Sequence, residues 1–131
     1  MAMKHSPQFL KLATEAQARI QRCSVTDVNQ WMTDESSMNL IDVREESEFA
    51  AGHLPSAIAM GRGIIERDIE LRIPDPTTKI VLYCGGGYRS ALTAESLQKM
   101  GYTNVVSMDG GWSGWNEAGH PTEAESTSLP S

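Results

Sequence analysis

Cysteine is scarce in this chain: its 131 residues include two, Cys23 and Cys84. That is too few for a disulfide framework, and neither thiol has a partner at metal-ligand spacing, so no metal site is expected. Long apolar runs are missing as well. No stretch approaches the roughly 20 apolar residues of a membrane-spanning helix, and no membrane partner is expected. Phe9-Leu10-Lys11-Leu12 is broken by charge at once, so the start lacks the basic-then-apolar order of a secretory signal. The expected compartment is the cytoplasm, whose reducing conditions suit a reactive thiol. Positive charge is in deficit: 11 Lys and Arg stand against 17 Asp and Glu, a formal net charge of −6. That balance excludes a general nucleic-acid binder, which needs a basic face.

The length allows one domain with a real hydrophobic core. Ser6-Pro7 reads as a helix entry, with Ser6 as cap and Pro7 at the first helical position. Phe9, Leu12, Ala13, Ala16 and Ile20 recur at helical spacing, which predicts an amphipathic helix packed on the domain and ended by Cys23. Residues 1–5 are expected to fray. Ser24-Val25 is expected as a short strand, with Thr26 capping a helix that carries Val28, Trp31 and Met32. A buried strand is expected over 38–44, then a short helix over 45–52 stopped by Gly52. His53-Leu54-Pro55 makes a bend, and 57–60 a brief strand. A charged helix follows over 62–73, closed by Pro74 and Pro76. After a strand over 80–83 come a helix over 89–100 and a last strand over 104–108. Asp109-Gly110-Gly111 then turns into a final helix bearing Trp112 and Trp115. From Thr122 the composition predicts a disordered tail. The organisation is thus a helix over 1–23, a domain over 24–121 and a tail over 122–131. Alternating strands and helices predict an α/β fold, a parallel sheet flanked by helices on both faces. Ligands in such folds sit at the carboxyl ends of the strands. Cys84 falls at such an end, as do Asp42 and Arg44, and Met60 leads to Arg62.

The stretch from Lys79 to Ala91 concentrates the chemistry. A strand delivers Cys84 to Gly85-Gly86-Gly87-Tyr88, then to Arg89, Ser90 and a helix start. Backbone N–H groups in such a turn form an anion-accepting nest, and the helix start adds partial positive charge. Glycines let the backbone curl with positive φ and approach a sulfur closely. Arg89 supplies a permanent cation with a planar fork of donors. A structural cysteine beside a tight turn is the bland reading; the clustering favours Cys84 as a nucleophile.

Several landmarks resemble the rhodanese family. They are Leu40-Ile41-Asp42-Val43-Arg44, then Glu48-Phe49 and Gly52-His53-Leu54-Pro55-Ser56-Ala57, then Cys84 to Ser90. Gly110-Gly111-Trp112, Trp115 and Gly119-His120-Pro121 close the set, in the family's order. The resemblance implies a five-stranded parallel sheet and a single-domain sulfurtransferase. Cys84 would take a sulfane sulfur from thiosulfate or a similar donor as a persulfide. It would pass the sulfur to cyanide, a thiol or a protein acceptor. Gly85, Gly86, Gly87, Tyr88, Arg89 and Ser90 would hold the donor and persulfide, with Ser90 also capping the next helix. Asp42 and Arg44 are candidates for a polar network beneath the loop. Arg62 is either a donor ligand or a solvated helix start. His53 is expected as a turn residue and not a base, Trp112 and Trp115 as core or rim, and Cys23 as a half-buried helix end. No cofactor is implied, and a monomer or weak dimer is expected. The chain departs from the family in carrying no side-chain charge between Cys84 and Arg89, and in Ser56 where glycine is usual. Two other classes remain beside the enzyme: a binding or regulatory module of this fold, and a phosphatase or arsenate reductase.

Overall fold

The computed structural model describes residues 5–34 and 36–124. Helices and strands alternate as α1 (Pro7–Gln17), β1 (Gln21–Cys23), α2 (Val25–Thr33), β2 (Asn39–Asp42), α3 (Glu46–Ala51) and β3 (Ile58–Ala59). They continue as α4 (Ile65–Arg72), β4 (Ile80–Tyr83), α5 (Tyr88–Lys99), β5 (Val105–Met108) and α6 (Gly111–Glu117). The strands form one five-stranded parallel sheet in the order β1-β5-β4-β2-β3. No described helix is long and apolar enough to cross a membrane.

Side chains alternate across a strand, and here both faces are apolar. Ile41, Ile80, Leu82 and Val105 point to one side and pack with Ile65 and Ile69 of α4 and Leu97 of α5. Leu40, Val81, Tyr83, Val106 and Met108 point to the other, with Val28 of α2, Phe49 of α3 and Trp115 of α6. Burial on both faces explains why β4 reads Ile-Val-Leu-Tyr with no polar interruption. From β2 the chain moves outward to β3, and from β4 it moves outward the other way to β5. The gap between the carboxyl ends of β2 and β4 is therefore the sheet's topological switch point, where α/β folds place ligands. Cys84 follows β4 there, and Arg44 follows β2.

Several expected boundaries shift. Cys23 ends a strand, not a helix: α1 stops at Gln17, and residues 21–23 pair with β5 through Cys23 and Met108. Ser24 is the cap of α2 and not a strand residue, which leaves Thr26 inside the helix. Its hydroxyl accepts from Asp27 N–H at 3.0 Å, and the Asp27 carboxylate accepts from Ser24 N–H at 2.9 Å. This reciprocal capping satisfies two otherwise orphaned donors. The charged helix begins at Ile65 instead of 62. Gly52 does end α3, but with extended backbone at φ 170°. Its glycine identity has a packing cause, since a Cβ there would lie 2.8 Å from the Trp112 ring.

Past the expected boundary at Pro121, Glu123 pairs with His53 through backbone hydrogen bonds of 2.7 and 2.8 Å. The rest of the expected tail, 125–131, and residues 1–4 of the expected frayed start lie outside the described residues.

Ser56 sits at φ 64°, in the left-handed region that costs a non-glycine residue about 1–2 kcal/mol. Glycine removes that strain at some cost in chain entropy. Ser56→Gly is expected to stabilise the fold by on the order of 0.5–1 kcal/mol. The urea midpoint should rise with an unchanged slope; an unmoved midpoint would contradict the strain.

Candidate active site

Cys84 leaves β4 at the floor of the switch-point crevice, buried with 1% of its surface exposed. Gly87, at φ 102°, turns the chain into α5 and is that helix's cap. Its N–H donates to Cys84 Sγ at 3.1 Å. Ser90 therefore does not cap the helix as expected, because the left-handed glycine already ends the loop. Its hydroxyl is buried 3.6 Å from Sγ and bonds the Ser107 hydroxyl of β5 at 2.8 Å. The outer side of the loop is tied to α6: Trp112 N–H donates to Cys84 O at 2.7 Å and Ser113 N–H to Gly85 O at 3.0 Å. Gly111 makes that approach possible. It sits at φ 53°, and a Cβ would come within 2.8 Å of Gly85 O.

Two ion pairs frame the sulfur. Arg44 and Asp42, 4% and 0% exposed, bond through Nη2 and Oδ2 at 2.8 Å. The second Nη2 bond, to Gly52 O at 2.6 Å, reaches across to the end of α3. Burial works against the Arg44 charge, but the Asp42 carboxylate outweighs it and raises its pKa above the ordinary guanidinium value. Arg89 pairs with Glu48, its Nη1 lying 3.0 Å from Oε1. Burial again opposes the Arg89 charge, and the Glu48 hydrogen bond more than offsets it. Burial would lift the Glu48 carboxyl, yet Arg89, the Glu45 N–H and Arg44 together hold it below its usual range.

A cavity of about 670 Å³ opens above Cys84. Of the expected site residues, Gly85, Gly86, Tyr88 and Arg89 line it with Cys84, and so does Arg44. Gly87 and Ser90 lie buried behind this lining. Asp42 is beneath it, holding Arg44. Arg62 is not brought in: its side chain is exposed, and its backbone N–H donates to Val43 O at 3.0 Å. Gly86 has open space where a Cβ would sit, whereas a Cβ on Gly85 would press on Arg89 Nη2 at 3.2 Å.

Sequence reasoning missed Glu48, His5, Phe9, Ser113 and Glu117, which also line the cavity. Glu48 stands in an acidic first turn, a pattern that the helix dipole accounts for without any partner. Phe9 belonged to a visible apolar stripe, but nothing local said where that stripe docks. Trp112 is at the rim and Trp115 in the core. His53 is buried, with Nδ1 2.8 Å from Phe49 O. Cys23 is buried too, 7% exposed, and burial with the Asp27 and Asp109 carboxylates pushes its thiol up to about 12.

A family model described as the rhodanese-like domain matches residues 24–118. The chain belongs to the rhodanese-like family. The thiosulfate sulfurtransferase GlpE of Shewanella oneidensis is 31% identical over 87 residues, 66% of this chain and 84% of its own. The putative sulfur carrier protein YrkF of Bacillus subtilis is 29% identical over 104 residues, 79% of this chain; the match spans 55% of that relative. Among solved structures, the Rhodopseudomonas palustris protein RPA3614 superposes with a TM-score of 0.78 at 30% identity. It covers 94% of this chain and 99% of its own, and is described as a protein of unknown function and possible tyrosine phosphatase.

The two thiols of the chain differ in surroundings, since Cys84 lines the cavity and Cys23 does not, so iodoacetamide should alkylate Cys84 and spare Cys23 while the fold is intact. Peptide mapping checks this, and modification of Cys23 at a comparable rate would contradict it. The Glu48–Arg89 pair gives a pH signature. Because the folded Glu48 pKa is depressed, its contribution is present above the unfolded value of about 4.3 and is lost as pH falls through the folded value. With side chains 38% and 34% exposed, screening keeps the pair small, about 0.2–1 kcal/mol. Glu48→Gln should be less stable than the parent by that amount at neutral pH, and the two should converge in acid. Urea titrations at the two pH values read the difference.

Proposed function

We propose that the chain moves a sulfane sulfur from thiosulfate or a similar donor to a thiophilic acceptor, through a persulfide on Cys84. The observation that carries this reading is the Gly87 N–H on Sγ at 3.1 Å, in a loop whose outer carbonyls are held by α6. That arrangement favours negative charge on the sulfur, and exchange at sulfur proceeds from the thiolate. The Cys84 sulfur attacks the outer sulfur of thiosulfate and forms a new S–S bond. The donor's own S–S bond breaks, and sulfite leaves with the electron pair. The terminal persulfide sulfur then carries the negative charge. Cyanide or a thiolate then attacks that terminal sulfur, and the Cys84 sulfur departs with the electron pair. Each half balances without an added oxidant. Arg89 holds the loop against Glu48 and is the positioning residue of the mouth, while the Ser90–Ser107 hydroxyls place dipoles behind the sulfur.

The description of the Rhodopseudomonas protein favours phosphate-ester hydrolysis as a second reading. Four residues separate Cys84 from Arg89, a short arc for cradling a tetrahedral phosphate. Phosphoryl transfer also wants a positioned acid for the leaving group. No carboxylate lies in the loop, and Asp109 is bonded to Arg22 at 2.9 Å, outside the cavity lining. Of the two lining carboxylates, Glu48 is taken up by Arg89, which leaves Glu117 as the candidate acid for this second reading.

Incubation with thiosulfate is expected to add one sulfur to the intact mass, on Cys84, and Cys84→Ser should abolish the adduct without unfolding the chain. Sulfur found on Cys23 or nowhere sinks the proposal. Cys84-dependent release of phosphate from an aryl phosphate, at a rate matching sulfur transfer, would move the chain to the second reading.

A further inference from the structure

His5 and the helix α1 that follows it lie outside the segment 24–118 that the family model matches, yet they contribute to one wall of the cavity. His5 and Phe9 line that wall beside Tyr88. Their rings form a mutual cluster: His5 and Tyr88 meet edge-on with centroids 4.9 Å apart, Phe9 and Tyr88 at 6.2 Å, and His5 and Phe9 at 5.5 Å. Such tilted and edge-to-face contacts are the favoured geometry for aromatic groups. The wall is fixed in place, because Ala16 packs against Ala91 and Leu92 of α5 and Arg19 pairs with Glu95. Across the cavity stands the Trp112 ring, with the Arg44 guanidinium 4.8 Å from its centroid.

The charged groups of the lining offer little to a small inorganic anion. Arg44 is held by Asp42 and Arg89 by Glu48, and Glu117 adds a further carboxylate. Beside these charges the lining carries four rings, those of His5, Phe9, Tyr88 and Trp112. At about 670 Å³ it also has the size of sites that take organic ligands rather than an ion of a few atoms.

We propose that the segment from His5 through α1 is a specificity element, and that the wall its His5 and Phe9 form with Tyr88 of α5 binds the apolar body of an organic sulfane-sulfur donor in preference to inorganic thiosulfate. This rests on the Cys84 persulfide reading. For an organic thiosulfonate, the Cys84 thiolate attacks the terminal sulfur and forms an S–S bond. The bond from that sulfur to the sulfonyl sulfur breaks, and the sulfinate leaves with the electron pair. The R group of the sulfinate occupies the aromatic wall throughout, so it can be varied without altering the reacting atoms.

The test compares benzenethiosulfonate with methanethiosulfonate, and uses thiosulfate as the inorganic reference. Single-turnover formation of the Cys84 persulfide is followed by intact mass, and each rate constant is divided by that donor's rate with a free small thiol. An apolar pocket discriminates by about 10-fold or more for a group of even one methylene, so the corrected ratio of benzene to methane donor should be at least about 10. Phe9→Ala and His5→Ala should each pull the ratio toward one. Phe9→Leu, which keeps apolar volume against α5, should lower it part of the way and covers the case in which Phe9→Ala detaches α1, as circular dichroism would reveal. A corrected ratio near one in the parent protein overturns the proposal, as does a ratio that survives in His5→Ala and Phe9→Leu alike. If every donor loads Cys84 equally well, sulfur transfer stands and only the wall's role falls. If no donor, thiosulfate included, leaves sulfur on Cys84, the sulfur-transfer reading itself falls and takes this inference with it.

Discussion

Two hydrogen bonds from the first turn of α6 hold the start of the Cys84 loop in place. Trp112 and Ser113 donate to the carbonyls of Cys84 and Gly85, and so draw those oxygens away from Sγ. A peptide unit whose oxygen is turned out has its N–H turned the other way. In the two tied units the N–H groups are those of Gly85 and Gly86, and the Gly87 N–H on the sulfur belongs to the unit that follows directly on this tie. Close approach of α6 is what makes it possible, and Gly111, crowded by loop backbone at a positive φ, sets how close α6 can come. Any side chain at that position has to push the helix off the loop.

A second constraint runs beneath. Removing two charges from water is costly, and a buried pair is retained only with good geometry and full hydrogen bonding. Asp42 and Arg44 meet that condition. The carboxylate also accepts from Arg44 N–H at 2.9 Å, and the guanidinium continues to Gly52 O and lies over Trp112. One side chain thus fastens the end of β2 to the end of α3 and to the helix that holds the Cys84 loop. Gly52 is crowded from the other side by the Trp112 ring, and the next residue, His53, is pinned by Glu123. The floor of the cavity is braced from several elements that are distant in sequence.

How much of this could be read from residues alone depended on how local the cause was. The β2 and β4 runs stood out because burial on both faces leaves an unbroken apolar string. Cys84 stood out because strand, glycines, arginine and helix start fall within a few residues of each other. Edge strand β1 did not: three residues become a strand only by pairing with β5. The Ser24–Asp27 cap was present in the sequence, but the β-branched Val25 beside it invited a strand. The left-handed turn at Gly87 displaced Ser90 from its expected capping place to a position behind the sulfur. Glu48 and the His5 and Phe9 rings belong to the site through contacts tens of residues away, which no periodicity encodes. Arg62 had the right address after a strand end, but its side chain faces solvent.

The pairing of both cavity arginines has a kinetic side. A cleft with unpaired cations focuses field lines and draws anions in, at rates that fall as salt is added. Here each guanidinium is matched by its own carboxylate, and the chain as a whole carries a formal charge of −6. A dianion approaches against the long-range field instead of along it. Raising ionic strength from 0.01 M to 0.15 M shortens the screening length from about 30 Å to about 8 Å, which relieves that repulsion. Encounter with any small dianion should therefore quicken with added salt, whereas a macromolecule bearing a basic surface would meet this protein fastest in dilute buffer.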